Sequence, residues 1–349
     1  MSTTDTGRRL PAEWEPVEAV LMSWPHPETD WADMLPEIER CYVDIVTAMV
    51  PYARVVVIGP DIEAIGSALA HIPSDRLTIL PCLTNDTWIR DYGPITVHTS
   101  DCTMLPLDYR FNAWGLKFAA NLDNMATSAL AELGLFRSEP ANNRDFVLEG
   151  GSIESDGMGT ILTTTECLRS PNRNDTMSAC AIGARLCRDF GAGRVLWLNH
   201  GALEGDDTDS HIDTLARLLP PGDVIAYTGC ADPSDSHYYT LRAMADELRA
   251  MRTADGRPYH LLELPLPDAV YDPDDGHRLP ATYANFLIVN DAVLLPVYGQ
   301  PMKDRMAADI LAAAMPDHTI VPVDCRALIR QHGSLHCATM QIPENTLSI

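Results

Sequence analysis

The order strand, turn, strand, helix, strand occurs twice along this chain. A unit built that way leaves apolar faces that further units must cover. In residues 153–199 the run IESDGMGTILTTT sets an Asp156-Gly157 turn between two extended stretches, residues 174–190 alternate as an amphipathic helix, and RVLWLN reads as a strand. In residues 283–324 the turn falls at Asn290-Asp291 of YANFLIVNDAVLLPVYG, followed by the helical DRMAADILAAAM and the strand TIVPVD. Near the start, AVLMSWP, DMLPEIERCYVDIVTAMV and RVVVIGP form a strand-helix-strand unit, part of a third copy. Two architectures bury such units: a ring of them about a central channel, or a doubly wound open sheet.

With 349 residues, 46% of them hydrophobic, the chain has material for a large core. No Pro/Gly/Ser-rich linker divides it, which favours one domain. MSTTDTGRRL lacks the apolar run of a secretory signal, and no stretch reaches the roughly 20 apolar residues of a membrane helix. The nine cysteines, at 41, 82, 102, 167, 180, 187, 230, 325 and 337, form no C-x-x-C pair and no zinc spacing. That usage fits reduced thiols in the cytoplasm, one of which is free to be a nucleophile. A formal charge of −24 argues against nucleic acid and suits a small cation, although acidity also simply keeps proteins soluble.

Four segments set polar or reactive residues beside apolar runs. NDTWIRDYGPITVH places Asp91 at a strand end before the Gly93-Pro94 turn, where a carboxylate also serves as an ordinary cap. FVLEGGSIESDG puts Glu149 before two glycines, which admit a tight turn or a close ligand. In DDTDSHIDTLARL, His211 and Asp213 share one face if the chain is extended. The same residues also read as a helix start capped by Asp209 or Ser210. As a metal pair they lack a third ligand at motif spacing. RQHGSLHCATMQIP sets Cys337 after a Gly-Ser turn; most cysteines, however, are small buried hydrophobes.

Together these segments resemble the guanidine-modifying enzymes, specifically the bacterial and plant agmatine deiminases, relatives of the Porphyromonas-type peptidylarginine deiminases. The resemblance runs nearly end to end: PAEWEPVEAVLMSWPH, NDTWIRDYGP, FNAWGLKF, FVLEGGSIESDGMGTILTTTECLRSPNRN, SHIDTLARLLPPGDVI, ATYANFLIVNDAVLLPVYG and GSLHC. It implies an α/β propeller of five ββαβ-type modules, pseudo-fivefold about a central active-site channel, with residues 1–10 a flexible tail and 11–349 a single catalytic domain. The W-x-R-D position falls on Asp91, L-E-G-G on Glu149, H-x-D on His211 and Asp213, and the terminal H-C on Cys337. Three departures touch the rim of the pocket: HGSLHC for the commoner G-G-G-N-I-H-C, DDTDSHID for D-E-T-x-G-H-V-D, and one glycine rather than two after N-A-W.

The chemistry that the resemblance implies suits these residue types. A guanidinium is planar and poorly electrophilic, so it must be held flat, and Asp91 and Asp213 can grip it by charge-assisted bonds. Cys337 attacks as thiolate. His211 donates a proton to the departing nitrogen and then takes one from water, with Glu149 holding its ring. Trp88 is either an apolar or cation–π wall for the substrate chain or simply core. The expectation is hydrolysis of agmatine to N-carbamoylputrescine and ammonia through an S-alkylthiouronium on Cys337, with no metal or organic cofactor and no membrane or nucleic-acid partner; a homodimer is compatible with it. The rivals are deimination of free or peptidyl arginine by the same residues, a non-catalytic guanidinium or polyamine binder, and a metallohydrolase built on His211.

Overall fold

The computed structural model of the chain describes residues 7–348. Strands and helices alternate in a mixed α/β architecture. Among the described residues, five sheets repeat one pattern: an antiparallel pair, then a third strand parallel to the second. Four have their strands in chain order. They are Ile95–His98, Met104–Arg110 and Ala141–Val147; Ile153–Ser155, Thr160–Thr164 and Arg194–Leu198; Ala216–Leu219, Val224–Gly229 and His260–Pro265; and Leu287–Val289, Ala292–Val297 and Thr319–Asp324.

The remaining sheet joins the two ends of the chain. Met340–Pro343 pairs antiparallel with Val17–Ser23, Leu21 facing Met340, and Val17–Ser23 pairs parallel with Arg54–Gly59. The incomplete N-terminal unit of the sequence therefore takes its missing strand from the C-terminus, with Leu77–Pro81 added at its far edge. That pairing also brings Cys337 back beside the start of the chain.

Local sequence explains the elements. Leu35–Met49 buries Ile38, Cys41, Tyr42, Ile45, Val46 and Met49, the spacing of one helical face. Central strands are continuous apolar runs: Val55, Val56, Val57 and Ile58 are all buried, as parallel strands covered on both faces require. Ala179–Phe190 starts where the Ser178 side chain accepts from Ala181 N and ends at Gly191, left-handed at φ 62°. The segment 214–219, which also read as a helix start, enters the strand Ala216–Leu219, whose four residues are all buried and which pairs antiparallel with Val224–Gly229.

Of the expected tail 1–10, residues 1–6 lie outside the described residues. In the rest, Arg9 exchanges backbone bonds with His98, and Leu10 N donates to Phe190 O. Deeper in, Arg217 is a buried tie: its guanidinium donates to Glu154, Glu13 and the carbonyls of Ala284 and Phe286, linking three sheets to the N-terminal segment.

Candidate active site

Turns at the ends of these sheets carry the reactive side chains. Asp91 lies in the helical turn Ile89–Tyr92, not at a strand end as the sequence suggested, because the Gly93-Pro94 pair ends the turn before the strand begins. Glu149 precedes the turn Gly150–Ser152; His211 precedes the turn Ile212–Thr214, which holds Asp213; Cys337 follows the turn Leu328–Gln331. Five residues spread over most of the chain meet in one place, each at most 5% exposed.

Cys337 Sγ lies 3.8 Å from Asp213 Oδ2 and 3.5 Å from Asn285 Oδ1. Asp213 Oδ2 is also bonded to His336 Nδ1 at 2.8 Å, so the residue before the cysteine fixes the carboxylate beside it. His211 stands between two carboxylates, with Nδ1 3.6 Å from Asp91 Oδ1 and Nε2 3.5 Å from Glu149 Oε2. Asp91 accepts from Trp114 Nε1 and Gly151 N, both at 2.9 Å. Glu149 is gripped by Arg173 Nε at 3.0 and 2.8 Å. Gly151 makes the convergence possible: a Cβ there would stand 2.7 Å from His211 Nδ1 and 2.9 Å from both Asp213 Oδ2 and Asp91 Oδ1.

The electrostatics follow from burial and neighbours. Burial, then Asp213 and Asp91, push the Cys337 thiol well above its ordinary range. Burial works against a charged His211, yet Asp91, Cys167 and Glu149 outweigh it and hold the ring well above its usual value. Burial works to raise Glu149 and Asp213, yet both end below their ordinary values, Glu149 through Arg173 and His211 and Asp213 chiefly through His336. Asp91, with burial dominant, is pushed up to about 6. Both ring nitrogens of His211 and Asp213 Oδ1 are buried with no hydrogen-bond partner among the described residues.

A cavity of about 70 Å3 opens onto Cys337 and Asp91. Trp88 and Trp114 wall it, and Asp30, Asp86, Asp207 and His332 also line it. Trp88 packs on the backbone of Gly333 and, at 5.7 Å, on Trp31. Lys117, distant in sequence from the four motifs, reaches Asp209 at 2.7 Å and the carbonyl of Asp207. Burial pushes Asp86 up to about 8.

Among the described residues, Glu149, Cys167 and His211 stand close enough to gather a metal, as do Glu13, Glu154 and His336. An arginine already serves the acidic groups in each set, Arg173 in the first and Arg217 in the second.

Sequence reasoning left out Trp114, Arg173, Asn285 and His336 as site residues. The stretches FNAWGLKF, SPNRN, ATYANF and GSLHC contain all four, by resemblance alone, with no spacing to suggest a role.

An α/β protein that encloses a thiol, an imidazole and paired carboxylates in this way falls in the class of guanidine-modifying hydrolases. Within that class the chain belongs to the Porphyromonas-type peptidyl-arginine deiminase family, whose profile matches residues 9–343. A curated relative from Marinomonas sp. (strain MWYL1), provisionally named an agmatine deiminase, is 32% identical over 97% of this chain and 95% of its own length. A crystal structure from Porphyromonas gingivalis, provisionally named an arginine deiminase, superposes with TM-score 0.92 at 47% identity, covering 97% of this chain and 99% of that one. The agmatine deiminase of C. jejuni, a cysteine-to-serine variant with substrate bound, does so with TM-score 0.89 at 37% identity over 96% of each chain.

Proposed function

We propose that this protein is an agmatine deiminase, with Cys337 as nucleophile, His211 as the proton-transferring group, Glu149 as its orienting partner, and Asp91 and Asp213 as the clamp on the guanidinium. The observation that carries the reading is the convergence of Asp91, Asp213 and His211 on the face of Gly151, with the Cys337 thiol 3.8 Å from Asp213. The five like sheets, joined through the pairing of Val17–Ser23 with Met340–Pro343, support the five-module propeller about a central channel, residues 11–349 forming one catalytic domain.

The raised Cys337 thiol supports a division of labour with the substrate. Before binding, two carboxylates and burial disfavour the thiolate. A guanidinium brought between Asp91 and Asp213 compensates those charges, so the cation itself makes the thiolate accessible. Attack forms the C–S bond; His211, held charged by Asp91 and Glu149, gives its proton to the departing nitrogen, and ammonia leaves. Water then attacks the thiouronium carbon, losing one proton to His211; as the carbonyl forms, the C–S electron pair and the remaining water proton return to Cys337, restoring its thiol.

The lining of the cavity favours agmatine over arginine. Asp30, Asp86 and Asp207 line it together with Trp88, a set that offers an ammonium acceptor oxygens and an alkyl chain an apolar wall, with no Lys or Arg among the described residues of the lining to meet a carboxylate. Lys117 is already engaged with Asp209 and the Asp207 carbonyl. Nine unpaired cysteines support a cytoplasmic setting. Arginine deimination is the second reading, on the strength of the 47%-identical structure from P. gingivalis. The test is kcat/KM for agmatine against free arginine and a blocked arginine peptide. Burying an unpaired carboxylate costs at least ~2 kcal/mol, so agmatine is preferred by roughly 30-fold or more; a ratio near or below one would move the assignment to arginine.

A further inference from the structure

A chain of alternating charges runs from the rim of the cavity to His211. At its outer end the exposed Lys117 donates from Nζ to Asp209 Oδ1 at 2.7 Å and to the carbonyl of Asp207. Asp209 Oδ2 accepts from Arg173 Nη1, and Arg173 Nε is shared between the two oxygens of Glu149 at 3.0 and 2.8 Å. Glu149 Oε2 in turn stands 3.5 Å from His211 Nε2. Arg173 Nη2 donates to the carbonyl of Thr208 at 2.8 Å, so every nitrogen of this fully buried guanidinium has an acceptor and its orientation is fixed.

Lys117 and Asp209 belong to two segments of the cavity wall: Trp114 and Phe118 flank the first, Asp207 and Thr208 precede the second, and all four line the cavity. Both segments take backbone shapes that residues with a side chain rarely adopt, with φ of 53° at Trp114, 68° at Leu116, 64° at Asp209 and 65° at Ser210. Leu116 and Ser210 stand where the related motifs have glycine, which takes such angles without strain. Such a conformation persists where its surroundings over-determine it. Around Asp209 they do: Ser210 N donates to Asp206 Oδ2, Ser210 Oγ to Glu166 Oε2, and Thr164 Oγ1 to Ser210 O. Against burial, Lys117 and Arg173 hold the Asp209 carboxyl below its ordinary value.

We propose that Asp209 is a positioning residue for the reaction, acting through Arg173 and Glu149 on the charge of His211, with Lys117 opposing it from the rim. This rests on the reading of His211 as the proton-transferring group. Arg173 is one buried cation between two carboxylates, Glu149 and Asp209. With the Asp209 charge removed, the field of Arg173 falls undivided on Glu149 and on the imidazolium behind it, and the guanidinium loses the partner that turns its Nε edge toward Glu149. A charged His211 is then harder to keep. The groups that face His211 are Asp91, Asp213, Glu149 and Cys167; those about Asp209 are Lys117 and Arg173, with Asp206, Asp207 and Glu166 at the same turn.

The test is the pH profile of kcat/KM for the unaltered protein, Asp209→Asn and Lys117→Met, by ammonia release from agmatine or, where the unaltered protein prefers it, arginine. Folding is checked by circular dichroism and thermal melting. At high pH kcat/KM falls as His211 loses the proton it must give. Asp209→Asn keeps an oxygen for Arg173 but not the charge, so this limb moves down by about half to one pH unit. Lys117→Met removes the opposing charge and moves the limb up, by a smaller step because it lies one ion pair further out. Titration of the substrate is common to all three proteins. A folded Asp209→Asn protein with an unmoved limb overturns the proposal, and so does a Lys117→Met limb that moves down, since a merely structural latch responds alike to either cut. If Asp209→Asn does not fold, Lys117→Met decides alone, and an unmoved limb there overturns the proposal too. An unaltered protein that turns over neither guanidine fails the substrate reading, whereas the inference fails only in the variants.

Discussion

Replacing Gly151 by alanine adds one methyl group at the point where the reactive side chains converge. The backbone tolerates it, since Gly151 is not among the glycines with positive φ, so the perturbation is steric. The added Cβ meets His211 Nδ1 at 2.7 Å and the oxygens of Asp213 and Asp91 at 2.9 Å, where ordinary contact begins at 3.4 Å. To restore that distance the imidazole must retreat 0.7 Å (3.4 − 2.7) and each carboxylate 0.5 Å (3.4 − 2.9). None of the three can do so freely: His211 and Asp213 are fully buried, Asp91 is bonded to Trp114, and Asp213 to His336. Overpacking of this kind costs about 1–3 kcal/mol of stability, and a displacement approaching 1 Å in a catalytic group costs about 100-fold in rate. The expected outcome is a folded protein, with its melting temperature lowered, whose kcat/KM for agmatine is about 100-fold down. Steady-state ammonia release beside a thermal melt measures both. A folded Gly151→Ala protein with undiminished kcat/KM would refute the convergence of these three groups on the reacting centre.

Cys337→Ala should abolish turnover while calorimetry still detects agmatine, because Asp91 and Asp213 remain; acid quench of the native enzyme should trap agmatine less ammonia on Cys337, and a label found only on another cysteine would contradict the assignment. Asp86→Asn should, without ligand, make the protein more stable at pH 8. The folded-state value of Asp86, about 8 against an ordinary 3.8, means that its contribution to stability is lost as pH rises between those values, so the variant's advantage should shrink toward pH 4. Arg173→Met strands the buried Glu149 carboxylate and should cost about 3–5 kcal/mol in denaturant unfolding. Glu149 is held below its ordinary value, so its pairing stabilises above that value, and the deficit should narrow as acid protonates it.

The repeated unit was legible in the chain because its signals are local. The Asp156-Gly157 and Asn290-Asp291 turns, the helix before each parallel strand, and the continuous apolar runs all depend on residues a few positions apart. The expected helix over 174–190 is in fact a short turn, Pro171–Asn174, and a helix, Ala179–Phe190, since Ser178 caps a new start. Asp91, Glu149, His211, Asp213 and Cys337 could be named in advance only through an ordered set of motifs; each alone reads as readily as a cap, a turn or a core residue. Two apolar units cannot say how many others join them, nor that the last strand of the chain completes the first sheet, because strand pairing is settled by which edges remain open once the rest has packed. The same holds for the site. His336 beside Asp213, Trp114 on Asp91, Arg173 on Glu149 and Asn285 on Cys337 are contacts between distant segments, each satisfying a polar group that burial would otherwise penalise. Residue types and local order came from the sequence, but which buried charge answers which was decided only when the sheets came together.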